Sequence, residues 1–246
     1  MQSTQDVRAQ PSEPSEPPSL LAAAEAGDTA AVRALLRGGS SHDADRASPT
    51  GITPLMKTCY AGHTGTAAAL LELGASPALR DNTSGTTALM LASTGGHAGC
   101  VLLLLSTGGA ALALQQDDEG RTSLLYAARR GHAEVVRFLL PTSAVDGADE
   151  TGLTPLAAAA QTGHVEALVA LLEAGANVLA SDSTGATALH AACGADRLET
   201  ARELCRWGAR IDVVDFEGYT PLDQMDQQSP SFALFLGLFV EDRPWH

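Results

Sequence analysis

Apolar residues in this chain fall into short clusters parted by polar turns, and the clusters alternate between two kinds. One kind is a Leu followed by small residues, as in Leu156-Ala157-Ala158-Ala159-Ala160. The other centres on paired leucines: Leu70-Leu71, Leu104-Leu105, Leu139-Leu140 and Leu171-Leu172. Each cluster gives only two or three turns of helix, and isolated helices below about 12–15 residues are marginal in water. The pattern therefore predicts short amphipathic helices in pairs, each pair exposing an apolar stripe that another pair must cover.

The polar positions between the clusters repeat as well. A Gly-x-Thr-x-Leu element recurs with its glycines at Gly51, Gly85, Gly120, Gly152, Gly185 and Gly218, at steps of 34, 35, 32, 33 and 33 residues. That is the period of one helical hairpin repeated in space. The chemistry of the element agrees with a helix start. Thr caps the first turn, and Pro at the first helical position gives up no hydrogen bond the helix needs. Glycines further along permit the left-handed backbone of a tight turn.

After these glycines stand Thr53-Pro54-Leu55-Met56, Thr87-Ala88-Leu89-Met90, Thr122-Ser123-Leu124-Leu125, Thr154-Pro155-Leu156-Ala157, Thr187-Ala188-Leu189-His190 and Thr220-Pro221-Leu222-Asp223. The series resembles the Thr-Pro-Leu-His signature of ankyrin repeats. Gly62-His63, Gly96-His97, Gly131-His132 and Gly163-His164 resemble that family's turn between helices. Gly74-Ala75, Gly109-Ala110, Gly175-Ala176 and Gly208-Ala209 resemble the close of its second helix. The resemblance implies an all-α solenoid of about seven units over residues 19–240, the first a partial unit with Ala22-Ala23-Ala24, Gly27-Asp28 and Leu35-Leu36. Residues 1–18, rich in Pro, Ser, Glu and Gln, are expected to be a disordered tail, and 241–246 a C-terminal tail. Three departures are visible: Pro141 directly after Leu140, Asp196-Arg197 in place of Gly-His, and Pro230 in the last unit. The segment with Phe232, Leu234, Phe235, Leu236, Phe239 and Val240 is apolar on nearly every side. Either the tail covers it or this end meets a partner, because a terminal cap needs a polar outer face.

Composition narrows the function classes. With 29 Asp and Glu against 15 Lys and Arg, the formal charge of −14 repels phosphate backbones, which disfavours a nucleic-acid partner. Cys59, Cys100, Cys193 and Cys205 lack the spacing of a zinc grip or a secreted disulfide framework and read as reduced core residues. No run of about 18 apolar residues predicts a membrane span, and no export signal opens the chain. The expectation is a cytoplasmic protein, extending to the nucleus, for which the Asn82-Thr83-Ser84 sequon has no meaning.

Catalytic chemistry finds little support. His63, His97, His132 and His164 recur evenly, yet successive helical units lie about 8–10 Å apart, while zinc holds donors within about 2.3 Å. They read as turn residues, and His190 as a scaffold residue. The chain has no HExxH helix, no P-loop and no nucleophile elbow, and Gly95-Gly96-His97-Ala98-Gly99 follows no strand. No catalytic residue, cofactor or metal is expected.

The ankyrin resemblance implies instead a protein partner on the concave side, at the hairpin tips and the exposed end of each first helix. Those positions are Tyr60 and Ala61; Thr86, Thr94 and Gly95; Glu119, Arg121, Arg129 and Arg130; Glu150, Leu153, Gln161 and Thr162; Ser183 and Ala186; Phe216, Glu217 and Tyr219. Arg121, Arg129 and Arg130 gather three guanidinium groups in one unit of an acidic protein. They either dock an acidic partner segment bidentately or form solvated charges balancing Glu119 and Glu134. Phe216, Tyr219 and Trp207 offer an aromatic anchor or a half-buried cap. The implied function is a monomeric scaffold or adaptor. Two alternatives share its architecture: a gankyrin-like proteasome regulatory-particle assembly chaperone, and an inhibitory or targeting subunit of an enzyme.

Overall fold

The computed structural model describes residues 19–37, 41–225, 227 and 232–234. Among them, helices pair in sequence order: α1 (Leu20–Glu25) with α2 (Thr29–Leu35), then a single turn α3 (Ser41–Ala44), α4 (Pro54–Ala61) with α5 (Thr64–Glu72), α6 (Ala88–Gly95) with α7 (Ala98–Ala113), α8 (Ser123–Arg130) with α9 (Ala133–Leu139), α10 (Pro155–Thr162) with α11 (Val165–Glu173), and α12 (Ala188–Gly194) with α13 (Leu198–Arg206). No strand occurs among the described residues; Arg80 with Thr87 and Ser181 with Thr187 form isolated bridges. The fold is the expected all-α solenoid.

The stacking follows from the apolar stripes. Each first helix packs on its own second helix and on the first helices of neighbouring units, and the second helices stack likewise from α2 through α13. The leucines read from the sequence as stripe residues, Leu55, Leu70, Leu89, Leu104, Leu124, Leu139, Leu156 and Leu171 among them, are fully buried in one continuous core. Cys59, Cys100 and Cys193 are buried, Cys205 is half-buried, and all four are free thiols. Among the described residues no helix is long and apolar enough to cross a membrane.

Helix starts and turns use the chemistry the sequence advertises. The hydroxyls of Thr53, Thr87, Thr122 and Thr154 accept the backbone N–H of Met56, Met90, Leu125 and Ala157 at 3.2, 3.3, 3.3 and 3.2 Å. In the next unit His190 joins in: its Nδ1 accepts the Thr187 N–H at 3.1 Å, leaving Nε2 to donate to the Tyr219 carbonyl at 3.1 Å. Gly62 and Gly96 cap their helices with φ of 79° and 72°. A Cβ on Gly96 would also sit 2.5 Å from Nδ1 of His132, so glycine is required twice over there. Three of the four turn histidines are spoken for: Nε2 of His63, His97 and His132 donates to the carbonyls of Glu25, Tyr60 and Thr94 in the preceding unit, at 3.1, 3.0 and 3.0 Å.

The departures have local outcomes. After α9 the chain tightens into a 3-10 turn, Leu140–Thr142, because Pro141 has no N–H for another α-turn. Asp196 takes the positive φ of 56° that glycine holds elsewhere, and the Nε of Arg197 reaches the Gln161 carbonyl at 3.4 Å where a histidine would. Gly109, with φ 59° and ψ −151°, ends the helix begun at Ala98, as expected at Gly109-Ala110, and a further helical stretch then runs to Ala113 within the span of α7. In the seventh unit Thr220 and Asp223 complete a helix-start box, with the Thr220 N–H on the Asp223 carboxylate at 2.8 Å and the Asp223 N–H on the Thr220 hydroxyl at 3.3 Å. Residues 221–224 nonetheless form turns; exposed Asp223 stands where the other units bury Met56, Met90, Leu125, Ala157 or His190. Phe232 packs against the core and Leu234 is exposed. The expected tails, 1–18 and 241–246, and Phe235, Leu236, Phe239 and Val240 lie outside the described residues.

Candidate partner-binding face

The hairpin tips owe their shape to an aspartate that the sequence reading overlooked. Asp117, Asp149, Asp182 and Asp215 stand three residues before their signature glycines, and Asp81 four before Gly85. In each case Oδ1 accepts two backbone N–H groups of its own loop: Thr83 and Ser84 on Asp81, both at 2.8 Å, and Glu119 and Arg121 on Asp117 at 3.0 and 2.9 Å. The same arrangement serves Asp149, Asp182 and Asp215. The signal was present as an Asp-x-x-Gly period riding on the glycine period. Backbone bonds then tie each tip to the one before it: Asn82 to Thr50, Asp118 to Ser84, Glu150 to Glu119, Ser183 to Thr151 and Phe216 to Thr184, each 2.9 or 3.0 Å. The tips form a row with fixed spacing.

In the fourth unit the tip aspartate does more. Asp117 is buried, and its Oδ2 accepts both the Tyr126 hydroxyl at 2.7 Å and Nε of Arg121 at 2.8 Å. Arg121 reaches Glu119 at 2.6 Å and lies over the Tyr126 ring, 5.2 Å from its centroid. Burial alone would raise the Asp117 pKa, but the Tyr126 hydroxyl, the Arg121 and Glu119 N–H groups and the Arg121 guanidinium hold it below the ordinary carboxylate value. Burial and its bond to that carboxylate push the Tyr126 hydroxyl up. Of the two readings of Arg121, the geometry shows the carboxylate-balanced one, with Asp117 added to Glu119. The Arg121 charge is spent on Asp117 and Glu119, because the tip brings both carboxylates within reach.

Arg129 and Arg130 differ. They occupy the last turn of α8, where the helix's carbonyl end favours cations, and both are exposed. Neither forms an ion pair among the described residues, since Glu119 is taken by Arg121 and Glu134 pairs with neither. The pair lines a cleft of about 370 Å³ with Arg121, Tyr126 and Thr162. The Thr162 hydroxyl donates to the Ala158 carbonyl at 2.8 Å, and Tyr126 to Asp117. The guanidinium groups in the cleft with no carboxylate partner among the described residues are therefore those of Arg129 and Arg130, an arrangement suited to binding an anion.

A second cleft, about 350 Å³, lies beside the first between the fifth and sixth units, where Gln161, Leu153 and Ala186 meet Ala191 and Gly194. The structure thus brings Arg121, Arg129, Arg130 and Thr162 to one cleft and Gln161 to its neighbour. The other expected site residues lie apart. Tyr60, 59% exposed, ends α4, two units before α8. Glu150 is exposed at the fifth tip. Phe216 (81% exposed), Glu217 and Tyr219 form the last tip, with the Phe216 ring against Gly185. Trp207, at the end of α13, is partly exposed and donates to Glu203 at 3.3 Å. A larger cavity of about 570 Å³ sits at the N-terminal end among Leu20, Leu36 and Arg46.

The comparisons agree with this architecture. Ankyrin repeats in three copies match residues 20–115 and 108–182, and a single ankyrin repeat matches 184–216. No curated protein sequence matches. Among solved structures, the human ASB11 ankyrin repeat domain superposes with a TM-score of 0.78 at 28% identity, over 92% of this chain and 98% of that one. The ankyrin repeat domain of Bcl-3, described as a unique member of the IkappaB protein family, superposes with a TM-score of 0.73 at 29% identity, over 92% and 100%. The chain belongs to the ankyrin-repeat family, whose repeats generally serve as protein-interaction modules rather than enzymes.

Proposed function

We propose that this chain is a monomeric scaffold or adaptor, acting in the cytoplasm or nucleus, that holds an acidic segment of a partner protein on the face formed by its hairpin tips and first-helix ends. The observation that carries this reading is the unpaired Arg129–Arg130 couple in a shared cleft of a protein with formal charge −14. Elsewhere Arg33, Lys57, Arg80, Arg121, Arg202, Arg206 and Arg210 are neutralised by carboxylates, while Arg37, Arg46, Arg137 and Arg197, which also form no ion pair among the described residues, are not adjacent in sequence as Arg129 and Arg130 are. In this reading the domain spans residues 19–240, and its described units already share one continuous core before the partner arrives, so binding costs little ordering entropy on this side.

The test compares the full chain with the double variant Arg129→Glu/Arg130→Glu. Both side chains are exposed, so the melting temperature should fall by no more than a few degrees. Capture from cell extract with quantitative mass spectrometry should show a set of proteins held by the native chain, released by raised salt and lost with the variant. Identical recovery by the two chains discards the basic anchor.

A further inference from the structure

We infer that the partner segment is bipartite: an extended stretch with acidic residues over Arg129 and Arg130 and an apolar side chain about three residues away in the neighbouring cleft. This rests on the acidic-segment reading above and adds the second half of the ligand. The carrying observation is that the two clefts share one helix end. In α10, Thr162 lines the basic cleft while the preceding residue, Gln161, lines the other.

The change of chemistry is written at one slot, the x of Gly-x-Thr. It holds Arg121 in the fourth unit, Leu153 in the fifth and Ala186 in the sixth. Arg121 lines the first cleft; Leu153 and Ala186 line the second, with Ala157, Ala191 and Gly194 as its small neighbours. The slot thus passes from cationic to apolar across one inter-unit step.

Charge sets the order in which the ligand lies. The second cleft is bounded by Asp182, whose Oδ1 is occupied by the N–H groups of Thr184 and Ala186 at 2.8 and 3.0 Å. A carboxylate placed there would face that anion, whereas an uncharged side chain meets methyl and methylene groups. The acidic end therefore belongs over the fourth unit and the apolar residue over the fifth and sixth. Adjacent helices lie about 8–10 Å apart, and extended peptide advances about 3.3 Å per residue, so three residues bridge the clefts. Exposed Gln161 lines the second cleft immediately beside Thr162 of the first.

The probes are fluorescein-labelled Ser/Gly peptides binding the full chain, read by anisotropy: one with an Asp-Asp pair alone, one with Leu three residues from the pair, and one with Leu moved twice as far. The three-residue peptide should bind about tenfold tighter than the other two, as burying one Leu side chain allows. Ala186→Tyr, filling the second cleft at a slot that carries Tyr219 in the next unit, should abolish that gain and leave the Asp-Asp peptide unaffected. Arg129→Glu/Arg130→Glu should weaken all three. Equal binding of the three peptides, or a gain that survives Ala186→Tyr, overturns the bipartite ligand while leaving the acidic anchor standing. Binding of none, or binding indifferent to the arginine changes, overturns both.

Discussion

At Asp81 a single carboxylate organises a whole tip. Burial works against its charge, but the Ser84 N–H, the Thr83 hydroxyl and N–H and the Ser84 hydroxyl outweigh it and hold its pKa at about 2, against 3.8 unperturbed. A folded pKa below the unfolded one means the native state favours the ionised form. The resulting stabilisation is complete above about pH 4 and is lost as pH falls toward 2; a difference of this size is worth about 2 kcal/mol. Thermal melts of the native chain and Asp81→Asn should therefore differ by several degrees at pH 6 and converge near pH 2. A constant offset across that range would mean the carboxylate's charge contributes nothing. Such roles were harder to see than the glycine period, because each tip Asp is one of 29 acidic residues and Asp81 stands one place off the Asp-x-x-Gly spacing of the others. The same difficulty hid the tie between Arg121 and Asp117. Four residues apart in a loop, they meet only because the tip folds back, whereas Arg129 and Arg130 were legible as charges the helix does not require.

At the scale of the element, the hairpins were readable because their turn chemistry is local. Thr-Pro-Leu starts a helix and Gly-His reverses it whatever the rest of the chain does. Gly96 tests this: its φ of 72° and the ring of His132 leave no room for a side chain. Gly96→Ala should lower stability by at least about 1 kcal/mol through the left-handed backbone alone, measured by urea unfolding. An unchanged midpoint would show that the turn yields freely. What local chemistry does not disclose is whether a helix, once started, finds cover. Thr220 and Asp223 start one as well as any unit does, yet Asp223 and Gln224 offer nothing to bury and 221–224 remain turns. Gly109 shows the converse: the helix ends where the sequence reads as an end, yet the apolar run Ala110–Ala113 forms a further helical stretch at once.

For the whole molecule, stability is shared between neighbours, so position along the stack matters as much as burial. Helices α6, α8 and α10 each have first-helix neighbours on both sides, whereas α1 packs on α4 alone in its layer. Hydrogen exchange followed by mass spectrometry should show the slowest amides in those three helices and the fastest among the helices at α1 and α2. Uniform protection from end to end would mean that the chain opens as one block. The tip-to-tip bonds add a consequence of their own. Glu150 to Glu119 and Ser183 to Thr151 are lone backbone links across the seams at which the fourth, fifth and sixth units join. A ligand lying across those units would act as a splint, making separation of two modules depend on its release. Occupancy would then be felt as resistance to unzipping, and a passive platform would gain mechanical strength from the cargo it carries.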